Sequence, residues 1–370
     1  MARRTPERTP RRSTGSTGST GSTRTTGSTR STGSTRSRTS GRTGTTRSRT
    51  NARQTPAPAR TLTTATFGTV DLDAFDSAIT GGKPFLAKAA LECGVLTRHA
   101  LSTRFRLVHP GVYIAADAQP DTRDLIRAVH LWAPPDAVIA GWGAAKLHRE
   151  KWYADRRCAV AVDLYSPRRL RSTPGVRVHV TARMPKAPDL SVVDGMIATS
   201  PARTAVDVGR WTRGVDERIC AIDAVCNGSR TGLDAVAGAA GRMVGQHGVK
   251  TVIGLLASCD IGADSPQETM VRLWLERSDL PAPATQVIIF NRYGQKIATA
   301  DLAYEKVKVA VFYDGEVHRS AEQSLFDDHV DAELRDMGWE VIRVVAGMLP
   351  KVVVNRIERA YDRNLLRYHL

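Results

Sequence analysis

The sequence predicts a mixed α/β protein of the α+β kind, and three observations carry that expectation. Apolar residues recur at helical spacing over residues 121–149, 265–280 and 320–338. Period-two segments such as Lys296–Tyr304 and Val307–Asp314 read as strands. The C-terminal hundred or so residues then run helix, three strands, helix, strand, helix.

Taken in order, residues 1–68 read as a disordered Arg/Ser/Thr/Gly tail. Ser-Thr-Gly repeats with interspersed Arg fill residues 13–50, and they contain no aromatic or branched apolar residue that could build a core. Of the net charge of +16 over 370 residues, residues 1–60 hold fourteen Arg against Glu7 alone, a net of +13. The remainder is close to neutral at +3, so a nucleic-acid role for the folded part must rest on particular sites and not on bulk charge. Two readings of the tail stand side by side: a solvated cationic arm that holds phosphate, or a repeat translated from upstream of the true start. Five scattered cysteines, Cys93, Cys158, Cys220, Cys226 and Cys259, have no partners at zinc spacing and imply no disulfide framework. No apolar run approaches the length of about eighteen residues that would span a bilayer, and no apolar segment follows the N-terminal arginines. The expectation is a cytoplasmic protein without a membrane partner.

Residues 69–118 outline a small winged helix-turn-helix. Pro84 opens Phe85–Glu92, Gly94 stops it, and Thr97 caps a second short helix. The alternating run Arg106–Ala116 turns at Pro110-Gly111 between two strands. On this reading Arg98, Arg104 and Arg106 are the candidate nucleic-acid contacts. Residues 119–262 form an α+β middle region, with a long helical stretch over 121–149, strands at Cys158–Ser166 and Gly175–Ala182, and a helix beginning at Pro201 behind Thr199 or Ser200.

Residues 263–370 are the informative part. Ser265 caps a helix with Pro266 at its first position and Glu268 placed to complete a capping box. Gln286–Phe290, Lys296–Tyr304 and Val307–Asp314 form a meander, separated by the turn Asn291–Gly294 and a link at Glu305–Lys306. A helix over 320–338 buries Phe326, Val330, Leu334 and Met337, Trp339–Val345 is a fourth strand, and a last helix reaches the C-terminus.

Phosphodiester hydrolysis by a divalent ion needs clustered carboxylates on rigid elements, because Mg²⁺ prefers hard oxygen ligands. Asp301 is the only acid inside an otherwise apolar strand, where a carboxylate is costly unless paired or used. Glu268 shares the inward stripe of its helix with Val271 and Leu275. In the third strand, alternation puts Lys308, Ala310, Phe312 and Asp314 on one face and Val307, Val309, Val311 and Tyr313 on the other. Asp314 is followed by Gly315, and His318 stands three residues further on, where a general acid or base could act.

The runs Ser265-Pro-Gln-Glu268, Leu280-Pro-x-Pro-x-x-Gln286, Asp301-Leu-Ala-Tyr304, Tyr313-Asp-Gly315 with His318, Asp327 with Leu334, and Gly338-Trp-Glu-Val-Ile-Arg343 resemble the family called domain of unknown function 559. That family is similar to the very-short-patch repair endonucleases of the PD-(D/E)XK superfamily. The resemblance covers residues 264–349 and implies a restriction-endonuclease-like αβββαβ core. Upstream, Glu92–Leu101, Arg104–Ile114, Ala137–His148 and Asp194–Asp207 resemble full-length actinobacterial proteins of this type. Their N-terminal parts are similar to abortive-infection antitoxins with a winged helix.

One departure is plain: members usually read apolar-Glu-x-Asp-Gly in the third strand, and this chain reads Val311-Phe312-Tyr313-Asp314-Gly315. The repair endonucleases likewise lack that carboxylate, and bind metal through the first Asp and a main-chain carbonyl with histidines assisting. By that pattern Asp301 is the principal ligand of Mg²⁺ (or Mn²⁺), with Glu268 and the Tyr313 carbonyl, while Asp314 and His318 handle water or leaving group. The expected function is a metal-dependent DNA endonuclease in repair or phage defence. The alternative is a catalytically degenerate DNA-binding or antitoxin-like regulator.

Overall fold

A computed structural model describes residues 61–64, 68–71, 79–315 and 321–368. Contacts divide the chain into Met1–Ala57, outside the described residues, and Pro58–Leu370, to which everything below belongs. The expected disordered tail therefore lies almost entirely outside the described residues, apart from the antiparallel pair β1 (Thr61–Thr64) and β2 (Gly68–Asp71).

The first folded layer holds β3 (Phe85–Leu86), α1 (Ala87–Glu92), α2 (Arg98–Arg104), β4 (Phe105–His109) and β5 (Val112–Ala115), with sheet order β3-β5-β4. The two helices and the hairpin fall where the sequence put them. Thr97 Oγ1 accepts the Ala100 N–H at 3.1 Å to cap α2, and Gly111 takes the positive φ of 82° that the turn needs. One detail differs, because Phe85 and Leu86 pair with β5 before the helix starts instead of joining it. The burial of Phe85 against Ala90, Leu101 and Phe105 wins over local helix propensity.

The middle region contains α3 (Thr122–Trp132), β6 (Val138–Ala140), α4 (Gly141–Leu147), α5 (Ala154–Val160), β7 (Val162–Ser166), β8 (Val176–Val180), β9 (Leu190–Val193) and β10 (Met196–Thr199). After these come α6 (Pro201–Trp211), α7 (Val215–Ser229), α8 (Leu233–Arg242) and α9 (Val249–Leu255). Its five strands lie in the order β8-β7-β6-β10-β9, mixed in direction. The long helical stretch expected over 121–149 is two helices with a strand between them. Val138, Ile139 and Ala140 are buried on both sides, and a short apolar run of that kind has no period to betray it. The strand expected from Cys158 begins only at Val162, after helix α5.

The C-terminal region follows the expected order: α10 (Pro266–Glu276), β11 (Ala284–Phe290), β12 (Lys296–Tyr304), β13 (Val309–Asp314), α11 (Ala321–Asp336), β14 (Glu340–Val345) and α12 (Pro350–Arg367). The sheet runs β11-β12-β13-β14, antiparallel except for the last pair, which α11 connects in parallel. Alternation along β13 sorts its side chains as expected. Val309, Val311 and Tyr313 pack with Val271, Leu275 and Ile357 of the flanking helices, whereas Ala310 and Phe312 pack with Leu334 and Trp339. A buried pair locks α10 to the middle region: Arg272 meets Asp223 of α7 at 3.2 Å and donates to the Ser258 carbonyl at 2.9 Å. Among the described residues no helix is long and apolar enough to cross a membrane.

Candidate functional site

The β12–β13 ladder pairs Tyr304 with Val309, Ala303 with Ala310 and Leu302 with Val311, and then stops. The backbone N–H of Tyr313 is not left unpaired: it donates to Asp301 Oδ2 at 2.6 Å. The carboxylate has taken the place of a ladder carbonyl just where the strands part, which is why a lone acid is tolerated in this strand. Burial pushes the Asp301 carboxyl up to about 7. The Tyr313 N–H pulls against that shift, while the like charges of Glu268, Asp314 and Asp264 add to it.

Glu268 is brought in from α10. Ser265 Oγ accepts the Glu268 N–H at 3.2 Å, which is one half of the expected capping box. The other half is not made in the expected way. Glu268 Oε2 instead accepts the Asp264 N–H at 2.9 Å and the Gln286 Nε2 amide at 2.9 Å, so the carboxylate bridges the helix start to β11. Thr285 pairs with Leu302 and Val287 with Ala300, so the register sets Gln286 opposite Asp301. Gln286 holds φ +50°, a conformation that costs a non-glycine residue energy and that here accompanies a side chain turned to Glu268.

Asp314 is held by a cation from the next strand. Arg343 of β14, in register with Phe312, reaches Asp314 Oδ1 at 3.2 Å. It grips Asp331 of α11 through Nε at 3.1 Å and Nη2 at 2.7 Å, with its guanidinium 5.4 Å from the Phe312 ring centroid. The family resemblance leads to the expectation of an acid at 312. Phe312 stands there instead, and the cation beside Asp314 is Arg343 of the neighbouring strand. His318 lies outside the described residues. Among the described residues no three His, Cys, Asp or Glu side chains form a group that could hold a metal ion.

Asp264, Gln286, Asp331 and Arg343 belong to this site, yet single-residue reasoning did not mark them. Gln286 and Arg343 do stand in the runs that carry the family resemblance, and that was the available signal. In the N-terminal layer, Arg98, Arg104 and Arg106 are exposed, and none forms an ion pair among the described residues. Arg106 donates to the Ala118 carbonyl at 3.2 Å.

Uncharacterized proteins from two strains of Mycobacterium tuberculosis are each 29% identical to this chain over 260 residues, covering 68% of it and 91% of their own length. No family model and no solved structure matches the chain.

Proposed function

We propose that residues 263–370 form a divalent-metal-dependent nuclease acting on DNA, with Asp301 as the principal metal ligand. The observation that carries this reading is the gathering of carboxylate charge where the β12–β13 ladder opens. Asp301 accepts a backbone N–H there while feeling Glu268, Asp314 and Asp264. A half-buried acid raised to about 7 by burial and like charge is a frequent mark of a functional position, and a bound cation relieves that repulsion. The observed α-β-β-β-α-β element order, which the resemblance implies, supports the reading.

The donor set fits a hard cation. Asp301 Oδ1 and Glu268 Oε1 accept no hydrogen bond from the described residues, and Mg²⁺ commonly uses one or two carboxylates together with water and substrate oxygens. Bound there, Mg²⁺ or Mn²⁺ would stabilise charge on the phosphoryl oxygens and acidify a water molecule. Asp301 and Glu268 would hold it beside the Tyr313 backbone. Gln286 and the Asp264 N–H fix the Glu268 carboxylate in place, and Arg343 holds Asp314 at the strand end. Arg98, Arg104 and Arg106 would meet backbone phosphates, which position a protein on DNA without reading sequence.

A second reading, a DNA-binding regulator without turnover, is favoured by one observation. Phe312 is packed against Leu334 and Trp339 beneath Arg343, so the position of the usual second carboxylate is filled. Labelled single- and double-stranded oligonucleotides incubated with Mg²⁺, Mn²⁺ or chelator separate the two. Metal-dependent product supports the nuclease, and binding without product in every condition supports the regulator.

A further inference from the structure

A cavity of about 570 Å³ opens in the middle region, where β7 and β8 meet the C-terminal end of α6. It shares no residue with the site around Asp301. Four guanidiniums, those of Arg157, Arg177, Arg210 and Arg213, line it against two carboxylates, Asp163 and Glu217. Asp163 is already committed, because its buried Oδ1 meets Arg177 at 3.1 Å and His179 Nε2 at 2.7 Å. Among the described residues the guanidiniums of Arg157 and Arg213 form no ion pair or hydrogen bond. The cavity therefore holds more cationic than anionic side chains, and two of the cations have no hydrogen-bonding partner among the described residues, Arg157 lying 6.0 Å from the Trp142 ring centroid.

The floor is built to fix Arg210. Asp207 is fully buried and receives Arg203 Nε at 3.2 Å, Arg210 Nε at 3.0 Å and the Tyr165 hydroxyl at 2.7 Å. Arg210 also donates to the Tyr165 hydroxyl at 2.6 Å and stands 4.9 Å from the Trp211 ring centroid. Trp211 in turn stacks on His179, with centroids 3.8 Å apart and planes 4° from parallel. Gly141 makes this packing possible: a Cβ there would fall 2.8 Å from Asp163 Oδ2 and 3.0 Å from the Trp211 ring, at φ +53°. Burying so many charges costs several kcal/mol per ion, and well-packed apolar side chains often hold a sheet to a helix as well or better. What the charges add is orientation: Arg210, which also donates Nη1 to the His247 carbonyl at 3.2 Å, is fixed in the wall through all three of its nitrogens, and Arg177 is tethered to Asp163 beside it.

We propose that this cavity binds a phosphate ester of nucleotide size. Arginine forks match phosphate oxygens bidentately, and the volume falls within the roughly 300–1,000 Å³ of small-molecule sites, more than phosphate alone requires. Arg177 and Arg210 form the preset wall, and Arg157 and Arg213 are the exposed cations that close on the phosphate. The organic part lies along Val160, 71% exposed, and the edge of Trp211. This site stands independently of the metal-site reading.

The ester could be a free nucleotide or one unit of a strand, so the test has two arms. The full chain is titrated calorimetrically at fixed ionic strength with adenosine monophosphate, and separately with a short single-stranded oligonucleotide. The comparison protein carries Arg157→Ala and Arg213→Ala, both at exposed positions, with an unchanged melting temperature as the check on folding. Residues 1–60 are common to both proteins, so their non-specific binding cancels. The expected result is a loss of at least about tenfold in affinity in the double variant, equivalent to roughly 1.4 kcal/mol. A loss confined to the mononucleotide identifies a free ligand, and one confined to the oligonucleotide identifies a strand. Equal affinity in both proteins for both probes, or no binding of either probe at millimolar concentration, overturns the proposal.

Discussion

Replacing Asp301 with Asn should stabilise the protein at high pH, and by an amount that reports on the site. The Asp301 carboxyl titrates at about 7 in the folded chain, against about 3.9 in an unfolded one. The folded pKa is raised, so the folded state holds the proton more tightly. That contribution to stability is complete below about pH 4 and is lost as pH climbs through 7. Above pH 7 the ionised group costs the folded state at most about 4 kcal/mol, and partial access to water reduces this to about 2 kcal/mol. Asn has the same volume, and its oxygen can still accept the Tyr313 N–H, so the variant should escape this cost. Urea unfolding of both proteins at pH 4 and pH 8.5 makes the comparison. The expected outcome is near equality at pH 4 and an advantage of about 2 kcal/mol for Asn at pH 8.5. Saturating Mg²⁺ should then raise wild-type stability at pH 8.5 and leave the variant unmoved, since a ligand at a hundred times its dissociation constant adds about 2.7 kcal/mol. A variant less stable than wild type at both pH values would show that Asp301 is a structural hydrogen-bond partner and nothing more.

Phe312→Glu restores the usual family residue, but its carboxylate would meet Arg343 first, so Mg²⁺ affinity measured by calorimetry should rise by less than about tenfold. Loss of the Phe312 packing should also lower the urea midpoint. Arg272→Met should destabilise by about 3–5 kcal/mol, because it leaves Asp223 buried without its cation. Asp223 is itself pushed up to about 7 by burial, so raising the pH through neutrality should deepen that loss. If residues 1–60 engage about five phosphates, the full chain's affinity for duplex DNA should fall with a log–log salt slope of about −4.5. Deleting them should flatten that slope, and an unchanged slope would mean that their fourteen arginines are idle.

Local rules carried the sequence reading where one element's own residues decide the outcome. The Thr97 cap, the Pro110-Gly111 turn, the Ser265 cap and the alternation along Val309–Asp314 all depend on neighbours in the chain. Strand β6 did not declare itself, since Val138-Ile139-Ala140 is buried on every side and has no polar face to set a period. Helix α5 was obscured because Cys158-Ala-Val160 runs straight into a genuine strand. At the site, Asp301 was legible as the lone acid of an apolar strand and Glu268 as an acid on the inward stripe of its helix. Gln286 opposite Asp301, and Arg343 reaching from β14 to Asp314 and Asp331, are products of strand register. Only the assembled sheet brings residues so distant in sequence together.

Nicking of supercoiled plasmid by the full chain, with Mg²⁺ or Mn²⁺ and with wild type and Asp301→Asn in parallel, tests the metal-dependent nuclease most directly. The expected result is metal-dependent conversion to open circles by wild type, abolished by chelator and absent in the Asn variant, which remains folded. Equal nicking by the two proteins would remove Asp301 from the chemistry. Intact plasmid in every lane would leave the carboxylates at the end of the β12–β13 ladder as the remnant of a site without turnover.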